Sequence, residues 1–176
     1  METVDSTIKL QRKEVIMSAI NTILSNADFR YYEETIKICL SDLTEDRLGI
    51  IANRRPSDLN VLFTMANAVR SIDNKKFLEI IFERYYERGG INCVNILVST
   101  ILKYNISEDI LTELTDKIFD AETLACICNG IDKYNIEQIR VLCIHARLDV
   151  ERIKVIKKAF DEGLSVKHVR MFAEKF

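Results

Sequence analysis

The sequence from position 148 to 176 reads LDVERIKVIKKAFDEGLSVKHVRMFAEKF and contains the signals of two short helices. Asp149 can cap a helix that runs to about Asp161, and Gly163 can end it. Ser165 can cap a second helix. In both segments apolar residues recur every three or four positions, which is typical of an amphipathic helix. This stretch therefore predicts a pair of short helices joined by a tight turn.

The same pair recurs upstream with a period of about 30 residues. The tetrapeptide Lys-Tyr-Asn-Ile stands at positions 103–106 and again at 133–136. The stretch Phe-Asp-Ala-Glu at 119–122 likewise aligns with Leu-Asp-Val-Glu at 148–151. An internal period of this size indicates stacked helical pairs, each of which buries its apolar face against its neighbours.

A longer shift supports the same interpretation. Moving the sequence by 63 residues lays Thr44 on Ser107 and Ser57 on Asp120, so that two expected helix starts coincide. Pro56 disfavours helical geometry at the residue before it, which makes Ser57 the expected cap of the next helix. The repeat can therefore be followed back to Thr44.

We predict an all-α fold of tandem helical-hairpin repeats, stacked as a short α-solenoid or as a compact helical-repeat domain. A single proline and five glycines in 176 residues leave few helix breakers. Residues 1–43 should form a helical pair that caps the stack, with helices over 6–25 and 29–40. About four and a half repeats follow as one continuous domain over 44–176, at 44–73, 74–104, 105–134, 135–163 and 164–176.

Each helix should turn one apolar face inward. For the second repeat the sequence predicts a break at Gly89 and Gly90. The inward residues expected in the helices over 120–133 and 136–146 and in the last two helices are Leu124, Ile127, Cys128, Ile131, Ile136, Ile139, Cys143, Ala146, Val150, Ile153, Ile156, Phe160, Val166, Val169 and Ala173.

The last helix has no successor in the sequence to cover Val166, Val169, Phe172 and Phe176. Either this end folds back on the stack, or it is where something binds. A homodimer through the C-terminal end stays open for the same reason.

Composition and motifs favour a binding protein over an enzyme. The formal net charge is only −2, and the two histidines, His145 and His168, fall on different predicted helices. The five cysteines are Cys39, Cys93, Cys126, Cys128 and Cys143, an odd number without ligand spacing. We therefore expect no catalytic residue, no cofactor and no metal site. The sequence shows neither a signal peptide nor an apolar run of about 18 residues, so a cytoplasmic protein is expected.

The segment from Phe160 to Phe176 resembles a short helical repeat that occurs in tandem in uncharacterised proteins of Firmicutes and of their phages or other mobile elements. In that repeat a Gly-Leu-Ser/Asp-Val turn leads to an aromatic-Ala helix end and a Phe-Asp start. The matching residues here are Gly163, Leu164, Ser165, Val166, Phe172, Ala173 and Phe176. The resemblance implies a bacterial or phage origin and a scaffold role, and it offers no catalytic residues.

The function expected from such a scaffold is non-catalytic protein–protein interaction. Given the resemblance, the chain could be a phage- or mobile-element-encoded inhibitor or adaptor that binds a bacterial host or defence protein. The expected partner-binding residues are Tyr31, Tyr32, Arg54, Arg55, Tyr85, Tyr86, Arg88, Glu108, Asp109 and Glu113.

Two alternatives stay open. Helical repeats can bind RNA or DNA, and a basic strip could be formed by Arg54, Arg55, Arg84, Arg88, Lys154, Lys157, Lys158 and Arg170. The stretch over 83–92 also has a faint likeness to the groove-forming helix start of Bcl-2-like proteins, which bind a partner helix. The residues at 93–95, however, depart from the pattern of that family.

Overall fold

The computed structural model describes residues 14–25, 27–146 and 149–173. Every regular element among these residues is a helix, which confirms the all-α prediction. The predicted start of the first helix and the side chain of Phe176 lie outside the described residues. The chain divides into two compact units, Met1–Asp73 and Asn74–Phe176. That boundary coincides with the predicted one between the first two repeats, and one continuous domain over 44–176 stays a prediction.

The described residues of the N-terminal unit form four α-helices and one 3₁₀-helix. They are α1 (14–24), the 3₁₀-helix Ala27–Tyr32, α2 (Glu33–Leu40), α3 (Glu45–Arg54) and α4 (Leu59–Ser71). The helix predicted over 29–40 therefore begins as a 3₁₀-helix and becomes α-helical only at Glu33. Phe29, Ile36 and Leu40 are buried and form the apolar face of this segment.

The start of α4 differs by one residue from the prediction. Asp58, and not Ser57, caps the helix, because its carboxylate accepts the backbone N–H of Val61 at 3.0 Å. Ser57 instead donates its hydroxyl to the Asp58 carboxylate at 3.0 Å. These hydrogen bonds, that from Val61 above all, lower the pKa of Asp58. A carboxylate at this position also interacts favourably with the helix dipole, which explains why it replaces the serine as cap.

Arg70 near the end of α4 joins that helix to the end of α2. Its guanidinium donates two hydrogen bonds of 2.7 Å to the Asp42 carboxylate. Its Nη2 also donates to the carbonyl of Cys39 at 2.7 Å. A cation at the C-terminal end of a helix satisfies carbonyl groups that have no partner within the helix.

The C-terminal unit contains the remaining helices. They are α5 (Lys75–Glu79), a π-helical turn (Ile80–Tyr85), α6 (Tyr86–Tyr104), α7 (Glu108–Lys117), α8 (Ala121–Cys128), a 3₁₀-helix (Ile131–Lys133), α9 (Ile136–His145), α10 (Val150–Asp161) and α11 (Val166–Ala173). The predicted break in the second repeat is confirmed, since Gly90 inside α6 has a φ of 68° and interrupts the helix. The helix predicted over 120–133 ends earlier, at Cys128, because Gly130 adopts a left-handed conformation.

The helices of this unit pack in two rows. The first helices of the pairs form one row, in which α7 packs on the π-helical turn, α9 on α7 and α11 on α9. The second helices form the other row, in which α8 packs on α6 and α10 on α8. Each pair thus covers the apolar face of the preceding pair, as the predicted repeat requires.

The inward faces agree with the sequence pattern. The predicted residues that are buried are Leu124, Ile127, Cys128, Ile131, Ile139, Cys143, Ala146, Ile153, Ile156, Phe160 and Val169. Ile136, Val150, Val166 and Ala173 are half-buried and stand at helix ends. A 3.6-residue apolar period therefore located the core of this unit.

The repeated tetrapeptide does not mark equivalent positions. Asn105 has a φ of 46° and ends α6, whereas Asn135 has extended geometry and caps α9 with a hydrogen bond from Gln138. Equivalent positions are occupied instead by the residues that stand immediately before the first helix of each pair. These residues are Thr44, Asn74, Ser107, Asn135 and Ser165, which follow one another at intervals of 28 to 33 residues.

Candidate functional site

An apolar cleft of about 550 Å³ lies at the C-terminal end of the stack, between α10 and α11. Its apolar lining consists of Val155, Ile156, Ala159, Leu164, Val169, Phe172 and Ala173. Ile156 and Val169 are buried and form its floor. Val155 and Phe172 form its walls and are 68% and 61% exposed.

The cleft stands where a further helix would follow if the repeat continued. Aligning the helix-start residues Asn135 and Ser165 places Leu142 of α9 at the same position as Phe172 of α11. Leu142 is fully buried in the preceding pair, where α10 packs against α9. Phe172 has the same place in its helix but is largely exposed to solvent. An exposed aromatic side chain beside an apolar cleft is unusual on a soluble surface and is typical of a binding site.

Four polar side chains line the rim of the cleft between the end of α9 and the start of α10. They are His145, Asp149, Glu151 and Arg152. Asp149 caps α10 by accepting the backbone N–H of Arg152 at 2.7 Å, and Glu151 pairs with Lys154 at 2.5 Å. The rim therefore combines charges of both signs around an apolar interior, an arrangement found in protein interfaces.

The predicted partner-binding residues of the N-terminal unit lie on two elements. Tyr31 and Tyr32 end the 3₁₀-helix, and Tyr31 is 91% exposed. Arg54 ends α3 and is half-buried, whereas Arg55 is exposed and has a φ of 44°. These side chains can reach solvent at least in part, and a role in partner binding stays a prediction.

Tyr85 is not a surface residue, so its assignment as an exposed anchor is wrong. Its side chain is fully buried, and its ring packs on Phe119 with 5.9 Å between centroids. The π-helical turn changes the register of the helix, and sequence periodicity alone does not detect such a turn. The neighbouring Tyr86 is half-buried. Arg88 is exposed, and its guanidinium carbon lies over the ring of Phe119, 5.7 Å from the ring centroid.

The predicted acidic residues Glu108, Asp109 and Glu113 all lie on α7. Glu108 pairs with Lys76 at 2.6 Å, and Asp109 is exposed. Glu113 is the centre of a chain of ion pairs that crosses three helices.

This chain of ion pairs joins α7, α9 and α11. Lys117 pairs with Glu113 at 2.5 Å, and Arg140 pairs with Glu113 at 3.0 Å and with Glu137 at 2.6 Å. Arg170 then pairs with Glu137 at 3.6 Å. Glu113 therefore contributes to the stacking of the pairs, which competes with any role as a partner contact.

The basic residues of the proposed strip in this unit have different surroundings. Lys157 points inward and donates to the carbonyls of Cys126 at 2.7 Å and Asn129 at 2.5 Å. Burial lowers the pKa of Lys157. Arg170 belongs to the ion-pair chain, whereas Lys154 and Lys158 are exposed. Of these basic side chains, some make contacts within the fold and others face the solvent.

The buried thiols have the chemistry of packing residues. Burial raises the pKa of Cys128 to about 11 and that of Cys143 to about 12. Both are therefore neutral near pH 7, and a neutral thiol is a weak nucleophile. Among the residues that the structure describes, no group of three or more His, Cys, Asp or Glu side chains could hold a metal ion.

One wall of the cleft stands out in the sequence and the other does not. Phe172 is one of the apolar residues of the last predicted helix that the predicted pairs leave uncovered. Val155 escaped notice because α10 already has an inward face in Ile153, Ile156 and Phe160, and one further valine resembles an ordinary surface residue. The signal for Val155 is its position beside the cleft, which can be recognised only when the packing of the pairs is known.

Comparison with protein-family models, with curated proteins and with solved structures found no match for this chain. Within the described part of the chain, no helix has both the length and the apolar character needed to cross a membrane.

Proposed function

We propose that this chain is a non-catalytic protein-interaction scaffold and that the cleft between α10 and α11 is its principal binding site. The observation that supports this most strongly is the exposure of Val155 and Phe172 beside a buried apolar floor. Burying two such side chains against a partner releases water from apolar surface, which is the main source of affinity in protein association.

The scaffold role also agrees with the chemistry of the interior. Cys93, Cys128 and Cys143 are buried among apolar side chains, and burial raises the pKa of each. Such thiols act as small apolar residues, which suits a reducing, cytoplasmic setting. A binding role without catalysis requires nothing further from these groups.

A narrower proposal concerns the origin of the partner. The resemblance of the segment from Phe160 to Phe176 to repeats of phage and mobile-element proteins favours an inhibitor or adaptor that binds a bacterial host or defence protein. This proposal rests on the short motif, whereas the binding site rests on the geometry of the cleft.

Protein binding is favoured over nucleic-acid binding by the use that the chain makes of its basic groups. Lys157 caps helix carbonyls, and Arg140 and Arg170 pair with carboxylates. A nucleic-acid surface needs such cations available for phosphates. Retention on nucleic acid at about 50 mM salt that falls steeply towards 200 mM would revive the alternative.

The proposed function is tested by affinity capture from a bacterial lysate with three baits. These are the wild-type chain, Phe172→Asp and the control Met171→Asp. Met171 is exposed on the same helix but does not line the cleft. We expect the wild type and Met171→Asp to retain the same stoichiometric protein, and Phe172→Asp to lose it. Equal capture by all three baits would show that the cleft is not the binding site.

A further inference from the structure

The packing of α10 on the two helices before it shows what kind of helix would fit the cleft between α10 and α11. It packs against α8, the second helix of the preceding pair, and against α9, the first helix of its own pair. Its buried residues are Ile153, Ile156 and Phe160, at positions i, i+3 and i+7 of the helix. This spacing places the three apolar side chains along one stripe.

A basic side chain completes the fit of α10. Lys157, at position i+4 of the same stripe, donates to the carbonyls of Cys126 and Asn129 at the C-terminal end of α8. In the N-terminal unit, Arg70 of α4 does the same for the carbonyl of Cys39 at the end of α2. In both cases the cation lies 31 residues after the carbonyl residue. The second helices therefore use a cation twice to recognise the C-terminal end of an earlier helix.

The cleft offers comparable features, and none of the helices that the structure describes fills it. Ile156 and Val169 provide an apolar floor between a second helix and a first helix, as α8 and α9 do for α10. The C-terminal end of α10 carries the negative pole of the helix dipole. Glu162 at the end of α10 pairs with Lys158 at 3.8 Å and does not line the cleft. The helix dipole therefore favours a cation at this end of α10.

We infer that the cleft binds an amphipathic α-helix of a protein partner, which takes the place of the next second helix of the stack. The partner helix carries apolar side chains at i, i+3 and i+7 and Lys or Arg at i+4. The apolar stripe packs on Val155, Ile156 and Phe172, and the cation lies at the C-terminal end of α10. This inference rests on the proposed function and specifies the partner that the scaffold takes.

The test uses a fluorescein-labelled peptide with the sequence of residues 149–163, DVERIKVIKKAFDEG, because it contains the stripe and the cation of α10. Fluorescence anisotropy is measured as the full chain is added. We expect saturable binding that weakens about tenfold or more with Phe172→Asp and stays unchanged with Met171→Asp. Peptides with Phe160→Ala or Lys157→Glu should also bind about tenfold more weakly, because each removes one recognition feature.

Three results would overturn the inference. The first is no saturable binding of the peptide, and the second is equal binding to the wild type and Phe172→Asp. The third is a dimer in sedimentation velocity that Phe172→Asp converts to a monomer, which would make a second copy the occupant. Circular dichroism checks that Phe172→Asp is folded, and Val155→Asp gives an independent variant of the other wall.

The failure of this inference can be told apart from the failure of the proposed function. If lysate capture depends on Phe172 but the peptide does not bind, the proposed scaffold function stands and the helical partner is rejected. The opposite result is also informative. If peptide binding depends on Phe172 but lysate capture does not, the cleft binds a helix but is not the principal binding site of the chain.

Discussion

The ring of Tyr85 occupies the space that a side chain at Gly89 would need. A Cβ atom built on Gly89 would lie 2.5 Å from the Cζ atom of Tyr85. Tyr85 is the last residue of the π-helical turn, and its ring is fully buried against Phe119. The aromatic residue and the glycine therefore fit together immediately before the break at Gly90.

This contact predicts the effect of adding a methyl group at Gly89. Gly89→Ala should lower the free energy of unfolding by about 1–3 kcal/mol, because the buried ring must move or the helix must shift. Urea unfolding followed by circular dichroism measures the change. The control is Gly49→Ala in α3, where nothing lies within 4 Å of the added atom.

The control substitution should change the free energy of unfolding in the opposite direction. Alanine is favoured over glycine inside a helix by about 0.5–1 kcal/mol, so Gly49→Ala should stabilise the chain. If Gly89→Ala is as stable as Gly49→Ala, the ring of Tyr85 does not lie where we describe it.

The hydroxyl of Tyr85 gives a second prediction. It is buried and has no hydrogen-bond partner of good geometry among the residues that the structure describes, because its interaction with the thiol of Cys93 falls short of one. Removing it with Tyr85→Phe should therefore raise the free energy of unfolding by about 1 kcal/mol, because an unsatisfied buried polar group is costly. Tyr85→Ala, which also removes the ring, should instead lower it by about 3–5 kcal/mol. A loss of stability in Tyr85→Phe would mean that the hydroxyl has a partner.

Much of the fold could be predicted because its signals are local. The spacing of Ile153, Ile156 and Phe160 identifies an apolar face, and Asp149 marks the start of the same helix. Such signals act within one or two turns, so they survive without knowledge of the packing. The repeated tetrapeptide was less informative, since its residues Asn105 and Asn135 occupy different structural positions.

The candidate site was harder to predict because exposure depends on neighbouring helices. The π-helical turn rotates Tyr85 into the core, and no residue type announces such a turn. Glu113 and Lys157 resemble surface charges in sequence, but the first joins α7 to α9 and the second caps α8. Val155 resembles any exposed valine until the cleft beside it is known.

The inward lysine of α10 provides a test with a neighbouring control. Lys157→Met keeps the apolar stem but removes the hydrogen bonds to Cys126 and Asn129, so we expect a loss of about 1–2 kcal/mol in the free energy of unfolding. Lys158→Met should change it by less than about 0.5 kcal/mol, because Lys158 is exposed and its ion pair is long. Equal effects of the two substitutions would contradict the capping role.

The ion-pair chain through Glu113 predicts a dependence on pH. Burial alone would raise the pKa of Glu113, but hydrogen bonds from Lys117 and Arg140 outweigh it and lower the pKa below its ordinary value of 4.5. A carboxyl group whose pKa is lower in the folded state stabilises the fold when ionised. Its contribution is therefore fully present above pH 4.5 and is lost as the pH falls through the folded pKa.

Urea unfolding of the wild type and Glu113→Gln at about pH 7 and about pH 3 measures this contribution. We expect the wild type to lose more stability between the two pH values than Glu113→Gln does. The exposed Asp109 on the same helix supplies the control Asp109→Asn, which should lose as much as the wild type. An identical loss in all three proteins would exclude a stabilising role for the Glu113 ion pairs.

Site-specific photo-crosslinking from Phe172 tests the central claim most directly. A photoreactive phenylalanine analogue is placed at position 172 or, as the control, at position 171, and the chain is irradiated in a bacterial lysate. Both side chains are more than half exposed, but only that at 172 lines the cleft. We expect one dominant protein adduct from position 172 and a much weaker one from position 171. Adducts of equal intensity from both positions, or none from position 172, would contradict the proposal that the cleft binds a protein partner.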